Sequence, residues 1–231
     1  MGSLSVDFKR HLTLCYPELL QGRSILALSG GLDSMVLCEL LLESKIDFSV
    51  AHCNFQLRGQ DSDDDQRFVE DSARSRSLEV RTKKFETKDF ARERRLSVQV
   101  AARELRYNWF DELLDKNPAD YLITAHHADD NLETFLINLS RGTGLKGLTG
   151  IPERNGRIRR PLLPFQRESI EAYAREKKIA WREDRSNMQN KYLRNRIRNE
   201  LVPLMNSSWM IDSVKSGKKT PESKVTWLRS T

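Results

Sequence analysis

The sequence predicts an α/β fold, a Rossmann-like parallel sheet with helices on both faces, and three observations carry that prediction. Short apolar runs bounded by turn residues recur along the chain, each followed by a longer segment with helical spacing; strands that alternate with helices build parallel sheets. The first such run, Ile25–Leu28, stops on Ser-Gly-Gly, the composition of a strand turning into a helix. The chain's unusual chemistry also falls just beyond three strand ends, at Ser29–Ser34, His52–Asn54 and His126–Asp130. Open α/β sheets hold their ligands at that edge.

The elements follow in order. Ile25–Leu28 is a strand, and Ser34–Ser44 a helix with Leu37, Leu40 and Leu41 on one face. IDFSVAHC, Ile46–Cys53, is the second strand. The polar loop NFQLRGQDSDDD leads into a helix over about 61–77, with acids at the N-terminal end that the helix dipole favours. LEVRTKKF, Leu78–Phe85, alternates apolar and polar residues and is a third strand. Ser97 is the N-cap of a helix through SVQVAARELRYNWFDELL, where Val100, Leu105, Trp109 and Leu113 recur at helical spacing. YLITAHH, Tyr121–His127, is the fourth strand, with a helix over about 128–139 after it. Residues 141–156 read as a long glycine-rich loop, RPLLPF as a short strand or turn, and Gln166–Ile179 as an amphipathic helix. From about Met205 the chain is polar and aperiodic, the composition of a disordered tail.

At 231 residues the chain can bury a proper core as one sizeable domain, or one domain with an appendage. No apolar run approaches the roughly 20 residues a membrane helix needs, so no membrane partner is expected. The first 20 residues contain acids and lack the apolar core of a secretory signal, and Val6 breaks a myristoylation pattern. Cys15, Cys38 and Cys53 are odd in number and form no CxxC pair, which points to a reduced cytosolic compartment. The net charge of +6 is unevenly placed. Residues 1–156 hold 21 basic against 25 acidic side chains, whereas residues 157–199 hold 13 against 5. A late basic excess suits a polyanion, although a solvated charged surface would leave the same trace.

SGGLDS, Ser29–Ser34, matches neither GxxxxGK[ST] nor GxGxxG. Gly30 and Gly31 let a phosphate approach the backbone, and Ser29 and Ser34 add hydroxyls. Asp33 is the informative residue, because a carboxylate beside a phosphate is repulsive unless a cation lies between them; its expected role is Mg²⁺ coordination. The plain alternative is a strand–helix turn capped by Asp33 or Ser34. In HHADDNLE, His126 and His127 precede Asp129, Asp130 and Glu133, with Asp129 and Glu133 on one helical face. Two histidines and three acids exceed what a helix cap requires. A zinc site is the alternative there, but no cysteine and no third histidine accompany it.

SGGLDS resembles the PP-loop of the N-type ATP pyrophosphatases, whose adenine nucleotide alpha hydrolase-like fold matches the predicted sheet. With AHCNFQLRGQDSDDD, AARELRY, TAHHADDNLETFLINLSRGTGLKGL, RPLLPF and WREDRSNMQNKYLRNRIRNELVP, it resembles the bacterial and plastid tRNA(Ile)-lysidine synthetases from about Ser24 to Pro203. That resemblance implies a PP-loop catalytic domain over 1–205, with a basic RNA-contacting region at 157–205 and a tail at 206–231. It implies a ligase that uses ATP and Mg²⁺ to adenylate C2 of the wobble cytidine of a CAU-anticodon tRNA-Ile. Free L-lysine then displaces AMP to give lysidine, in the cytoplasm or a plastid stroma. Ser29, Gly30, Gly31, Leu32, Asp33, Ser34 and His52 would bind ATP. Asp33, His126, Asp129, Asp130 and Glu133 would be catalytic, with their jobs undivided. Arg103, Arg106, Arg194, Asn195 and Arg198 would contact the tRNA, and His52 and Arg58 would flank the adenine. A homodimer is compatible with the resemblance. Long members carry further C-terminal domains that the residues after Met205 do not resemble, which leaves a short form, an excised domain and a truncation all open. Other PP-loop enzymes, such as tRNA thiolases, and a catalytically dead RNA-binding remnant are the competing readings; the thiolases carry CxxC pairs.

Overall fold

The structure is a computed structural model that describes residues 3–144 and 149–183, with Ile197, Leu201 and Val202. The first elements are α1 (Leu4–Cys15), a short 3-10 turn (Pro17–Leu20), β1 (Ser24–Ala27), α2 (Leu32–Glu43), β2 (Phe48–Asn54), α3 (Gln60–Ser75) and β3 (Val80–Lys84). They are followed by α4 (Thr87–Arg94), α5 (Val98–Lys116), β4 (Tyr121–Ile123), α6 (Ala128–Ser140), β5 (Arg154–Asn155), β6 (Ile158–Arg159) and α7 (Arg167–Glu176). The described residues fall into two units. The first comprises 3–131 and 149–183 and contains the whole sheet. The second comprises 132–144 with Ile197, Leu201 and Val202.

In the first unit the six strands lie in the order β3-β2-β1-β4-β6-β5. All neighbours run parallel except β5, which is antiparallel to β6. Ser24 of β1 stands level with Phe48 of β2 and with Tyr121 of β4, so the three central strands start together at one edge. β1 is apolar on both faces because both are covered. Leu26 and Leu28 pack into one cluster with residues of α1, α2, α3 and α7. Ile25 and Ala27, pointing the other way, join Trp109, Phe110, Leu113 and Leu114 of α5. The predicted α/β fold is the one observed.

Several boundaries differ from expectation for physical reasons. β4 stops at Ile123, where its ladder to β6 ends, so His126 and His127 lie in the connection to α6. Ser97 does cap α5, accepting from the Val100 N–H at 3.3 Å. Val100 sits in that first turn and is exposed, while Trp109 and Leu113 face the core. RPLLPF is a turn, one of its two expected forms, and a β5–β6 hairpin starts at the end of the expected glycine-rich loop, with β6 just beyond it. The first-unit helices α1 and α4 carried no sequence expectation.

In the second unit, the distal part of α6 ends on Gly142 at φ +64°, with the Gly142 N–H donating to the Leu139 carbonyl at 3.0 Å. Glycine meets the left-handed conformation such a stop requires. Glu133 is fully buried, and Ile197 and Val202 are buried as well. The tail from residue 206 and the residues Arg194, Asn195 and Arg198 lie outside the described residues.

Candidate active site

β1 delivers the chain into the glycine turn, and hydroxyls hold that turn in shape. The Ser34 hydroxyl donates to the Gly31 carbonyl at 2.9 Å and accepts from the Ser29 N–H at 3.2 Å. The Ser29 and Ser34 hydroxyl oxygens lie 3.0 Å apart. The Gly31 N–H donates to the Ser29 hydroxyl at 3.3 Å. Gly31 occupies the N-cap of α2, where no side chain caps the helix. The leading N–H groups of α2, at Leu32, Asp33 and Ser34, therefore keep the donor capacity and positive potential that suit an anion.

Gly30 sits at φ +86°, and a Cβ there would stand 3.1 Å from Val69 Cγ2. Gly30→Ala is accordingly expected to destabilise the protein by about 1–3 kcal/mol through backbone strain. Urea denaturation measures this, and an unchanged midpoint would contradict the strain.

His127 is the centre of the second feature. It is 1% exposed, with Nε2 at 3.4 Å from Asp130 Oδ2 and 3.6 Å from Asp33 Oδ2, and Nδ1 at 4.0 Å from Asp129 Oδ1. Burial opposes charging of the ring, but a hydrogen bond donated to Asp33 and the charges of Asp130, Asp33 and Asp129 outweigh it and raise its pKa. The His127 N–H also donates to Asp130 Oδ2 at 3.2 Å. The β1 turn and the start of α6 thus meet at one buried imidazole.

Arg167, which opens α7, joins both carboxylate groups. Its guanidinium donates to Asp33 Oδ2 at 3.1 Å, and its backbone N–H donates to Asp129 Oδ1 at 3.2 Å. No side chain of its own element caps α7, and Asp129 serves that helix from α6. Sequence reasoning named neither Arg167 nor the central position of His127. The sole signal for Arg167 was a basic residue in the first turn of a helix, where the dipole disfavours it.

The remaining predicted residues are distributed around this centre. His126 Nδ1 lies 3.0 Å from the Thr124 hydroxyl. His52 is buried at the end of β2, with Nδ1 2.8 Å from the Leu28 carbonyl. A carbonyl only accepts, so Nδ1 carries the proton and, in the neutral ring, Nε2 is an acceptor. Burial lowers the His52 pKa, against the raising effects of the Leu28 bond and of Asp65 and Glu70. The sign follows directly. With its folded pKa below the 6.5 of a free imidazole, His52 costs stability as pH falls below that value, because the unfolded chain binds the proton first. His52→Asn is expected to lessen the loss of stability below pH 6.5, read from urea midpoints across that range. An equal loss in both proteins would contradict this.

Arg58 pairs with Asp65 at 2.6 Å, and Arg182 reaches the same carboxylate. The Arg182 backbone N–H donates to the Gly30 carbonyl at 2.9 Å. Asp65 therefore ties the loop after β2 to a strap lying over the glycine turn, a link no sequence pattern announced. Arg103 and Arg106 were expected on one face of α5. Their guanidinium groups diverge, Arg106 lying over Phe55 at 5.1 Å and Arg103 over Tyr107 at 4.8 Å. Glu133 continues the α6 sequence within the second unit. Among the described residues no group of three or more His, Cys, Asp or Glu side chains is arranged to hold a metal ion by itself.

The comparisons with known proteins agree with this geometry. The family model described as a PP-loop domain matches residues 4–205. A tRNA(Ile)-lysidine synthase of Porphyromonas gingivalis is 47% identical over 182 residues, covering 78% of this chain and 40% of the relative. That of Bacteroides thetaiotaomicron is 44% identical, covering 85% and 45%, and that of Chlorobaculum tepidum 43%, covering 78% and 56%. The chain thus spans about half the length of these curated relatives. Among solved structures, the U34-tRNA thiolase NcsA of Methanococcus maripaludis superposes with a TM-score of 0.69 at 17% identity, covering 92% of this chain and 77% of its own. At that identity the likeness speaks for the fold. With the glycine turn, the carboxylates around His127 and a family match across residues 4–205 in agreement, the chain belongs to the PP-loop domain family.

Proposed function

We propose that the chain is the catalytic part of a tRNA(Ile)-lysidine synthetase that consumes ATP in the cytoplasm, or in a plastid stroma if organellar. One observation carries the reading. The uncapped start of α2 and the carboxylates of Asp33, Asp129 and Asp130 converge on His127, in a chain 47% identical over 182 residues to a tRNA(Ile)-lysidine synthase.

The chemistry needs two displacements. In the first, the C2 carbonyl oxygen of the wobble cytosine attacks the α-phosphorus of ATP, and the bond to the β-phosphate breaks to release pyrophosphate. A ring carbonyl oxygen is a poor leaving group until it carries AMP. In the second, the lysine ε-amine attacks C2, the C2–O bond breaks and AMP departs. The amine is protonated near pH 7 and must lose its proton first.

The residues divide these tasks. The N–H groups of Leu32, Asp33 and Ser34 and the hydroxyl-braced turn at Ser29, Gly30 and Gly31 would receive the phosphates. His52 Nε2, an acceptor in the neutral ring, would take the adenine amino group. Asp33, Asp129 and Asp130 are hard oxygen donors that fit Mg²⁺, which needs only one or two carboxylates together with phosphate oxygens and water. When bound, the ion would neutralise charge on the departing pyrophosphate. Arg167 already neutralises Asp33 and would steady that carboxylate as phosphate arrives. His126 and Asp130 would hold the lysine ammonium or take its proton, and Arg106 would face the adenylated base. Arg194, Asn195 and Arg198 would meet the tRNA backbone in a basic segment.

Incorporation of labelled lysine into a CAU-anticodon tRNA-Ile transcript tests the reading. Label appearing only with ATP present is the expected result. Label that enters equally well without ATP, or into any tRNA, would contradict it.

A further inference from the structure

A second concave surface lies on the first unit between α5 and the β5–β6 hairpin. This cleft of about 350 Å³ is lined by Arg103, Tyr107 and Asp111 on the helix side and by Asn155, Arg157 and Arg160 on the hairpin side. Its three cations are in different states. Arg157 is fully engaged, pairing with Asp115 at 3.0 Å and donating to the carbonyls of Leu114, Ala119 and Asp120, so it forms a fixed wall. Arg160 is 4% exposed and gives one guanidinium hydrogen bond to the Pro152 carbonyl at 2.7 Å, while its buried Nε has no acceptor. No carboxylate lies within ion-pairing distance of it among the described residues. A buried cation without a counter-charge is costly, and an anion in the cleft would offset that cost. Arg103 is exposed, with its guanidinium carbon 4.8 Å from the centroid of the Tyr107 ring, so that ring carries a positive charge beside it.

The cleft's position is defined by the sheet. The Thr124 N–H donates to the Arg159 carbonyl at 3.0 Å, so Arg160 leaves the sheet at the carboxyl end of β4. That is the edge from which the chain runs on to His126–Asp130. A phosphate would offset the buried charge of Arg160 and engage the exposed Arg103 but does not account for Tyr107, and base stacking accounts for Tyr107 but not for the arginines. A nucleotide within an RNA strand requires both. Asp111, the one carboxylate in the lining, would repel a phosphate but accept from a ribose hydroxyl or a base amino group.

We propose that this cleft seats one nucleotide of the RNA substrate, with its phosphate on Arg103 and Arg160 and its base against Tyr107. The proposal rests on the reading of the chain as a tRNA-modifying enzyme. It adds a binding subsite on Tyr107, Arg160 and the hairpin.

Binding of a CAU-anticodon tRNA-Ile transcript to the full chain, followed by fluorescence anisotropy over a salt series, tests it. Arg103→Ala is expected to weaken binding about tenfold and lower the log–log salt slope by about one, as for a lost phosphate contact. Tyr107→Leu is expected to weaken binding about tenfold with the slope unchanged, because stacking releases no counterions. Arg160→Gln, which retains a donor for the Pro152 carbonyl, is expected to behave like Arg103→Ala. The exposed Arg103 and the part-exposed Tyr107 keep the test informative if the buried substitution impairs folding. Wild-type affinity and slope in both Arg103→Ala and Tyr107→Leu would overturn the subsite while leaving the tRNA reading intact. Failure of the unaltered chain to bind the transcript would overturn that reading and the subsite with it.

Discussion

Asp33→Ala is expected to lower pyrophosphate release by about 10²–10³-fold or more, the scale of losing a preorganised charge contact at a reacting phosphate. Its melting temperature should hardly move. Asp33 stands in the first turn of α2, and its carboxylate, 25% exposed, touches Arg167 and His127 rather than the apolar core. Part-exposed ion pairs contribute about 0–1 kcal/mol, so the loss of fold stability is small beside the loss of chemistry. Asp33→Asn separates charge from shape and should be nearly as inactive. Unchanged turnover in either variant would remove Asp33 from the proposed phosphate and metal site. A cooperative unfolding transition lost in Asp33→Ala would instead make the residue structural.

His127→Ala is expected to do both kinds of damage. The imidazole is 1% exposed and stands within 4.0 Å of three carboxylates. Removing it takes away the buried imidazole that Asp33, Asp129 and Asp130 share, and deleting a buried ionic partner costs about 3–5 kcal/mol. The urea midpoint should fall accordingly, and pyrophosphate release should be lost even at temperatures where the variant remains folded. A midpoint within about 0.5 kcal/mol of the unaltered protein, the range of neutral surface substitutions, would contradict the central role given to His127.

The glycine turn and its helix were legible because they are local. ILAL cannot continue as a strand through Ser-Gly-Gly, and Leu37, Leu40 and Leu41 repeat at helical spacing, so β1 and α2 follow from adjacent residues. The same holds for Ser97, whose hydroxyl needs only the N–H three residues on. Residues that depend on distant partners were not legible. Arg167 is 134 positions from Asp33, and Arg182 is 117 from Asp65. Apart from the place of Arg167 in the first turn of α7, nothing near either arginine in sequence distinguishes it from the other basic residues of the late segment. His127 was visible as one of a pair, but only burial separates it from His126, whose ring bonds the nearby Thr124 hydroxyl. The β5–β6 hairpin escaped because each strand is two residues long, too short for a period-2 signal. α4 lies in a strongly charged stretch with few apolar positions, which left the helical period little to mark.

The central claim is that this chain activates RNA by adenylation before an amine attacks. Its most direct test is release of AMP and pyrophosphate from ATP by purified protein, with Mg²⁺, lysine and the CAU-anticodon tRNA-Ile transcript omitted one at a time. The account predicts pyrophosphate release that requires the transcript, and AMP release that requires both transcript and lysine. Pyrophosphate release that proceeds equally well without the transcript, or none with every component present, would contradict it.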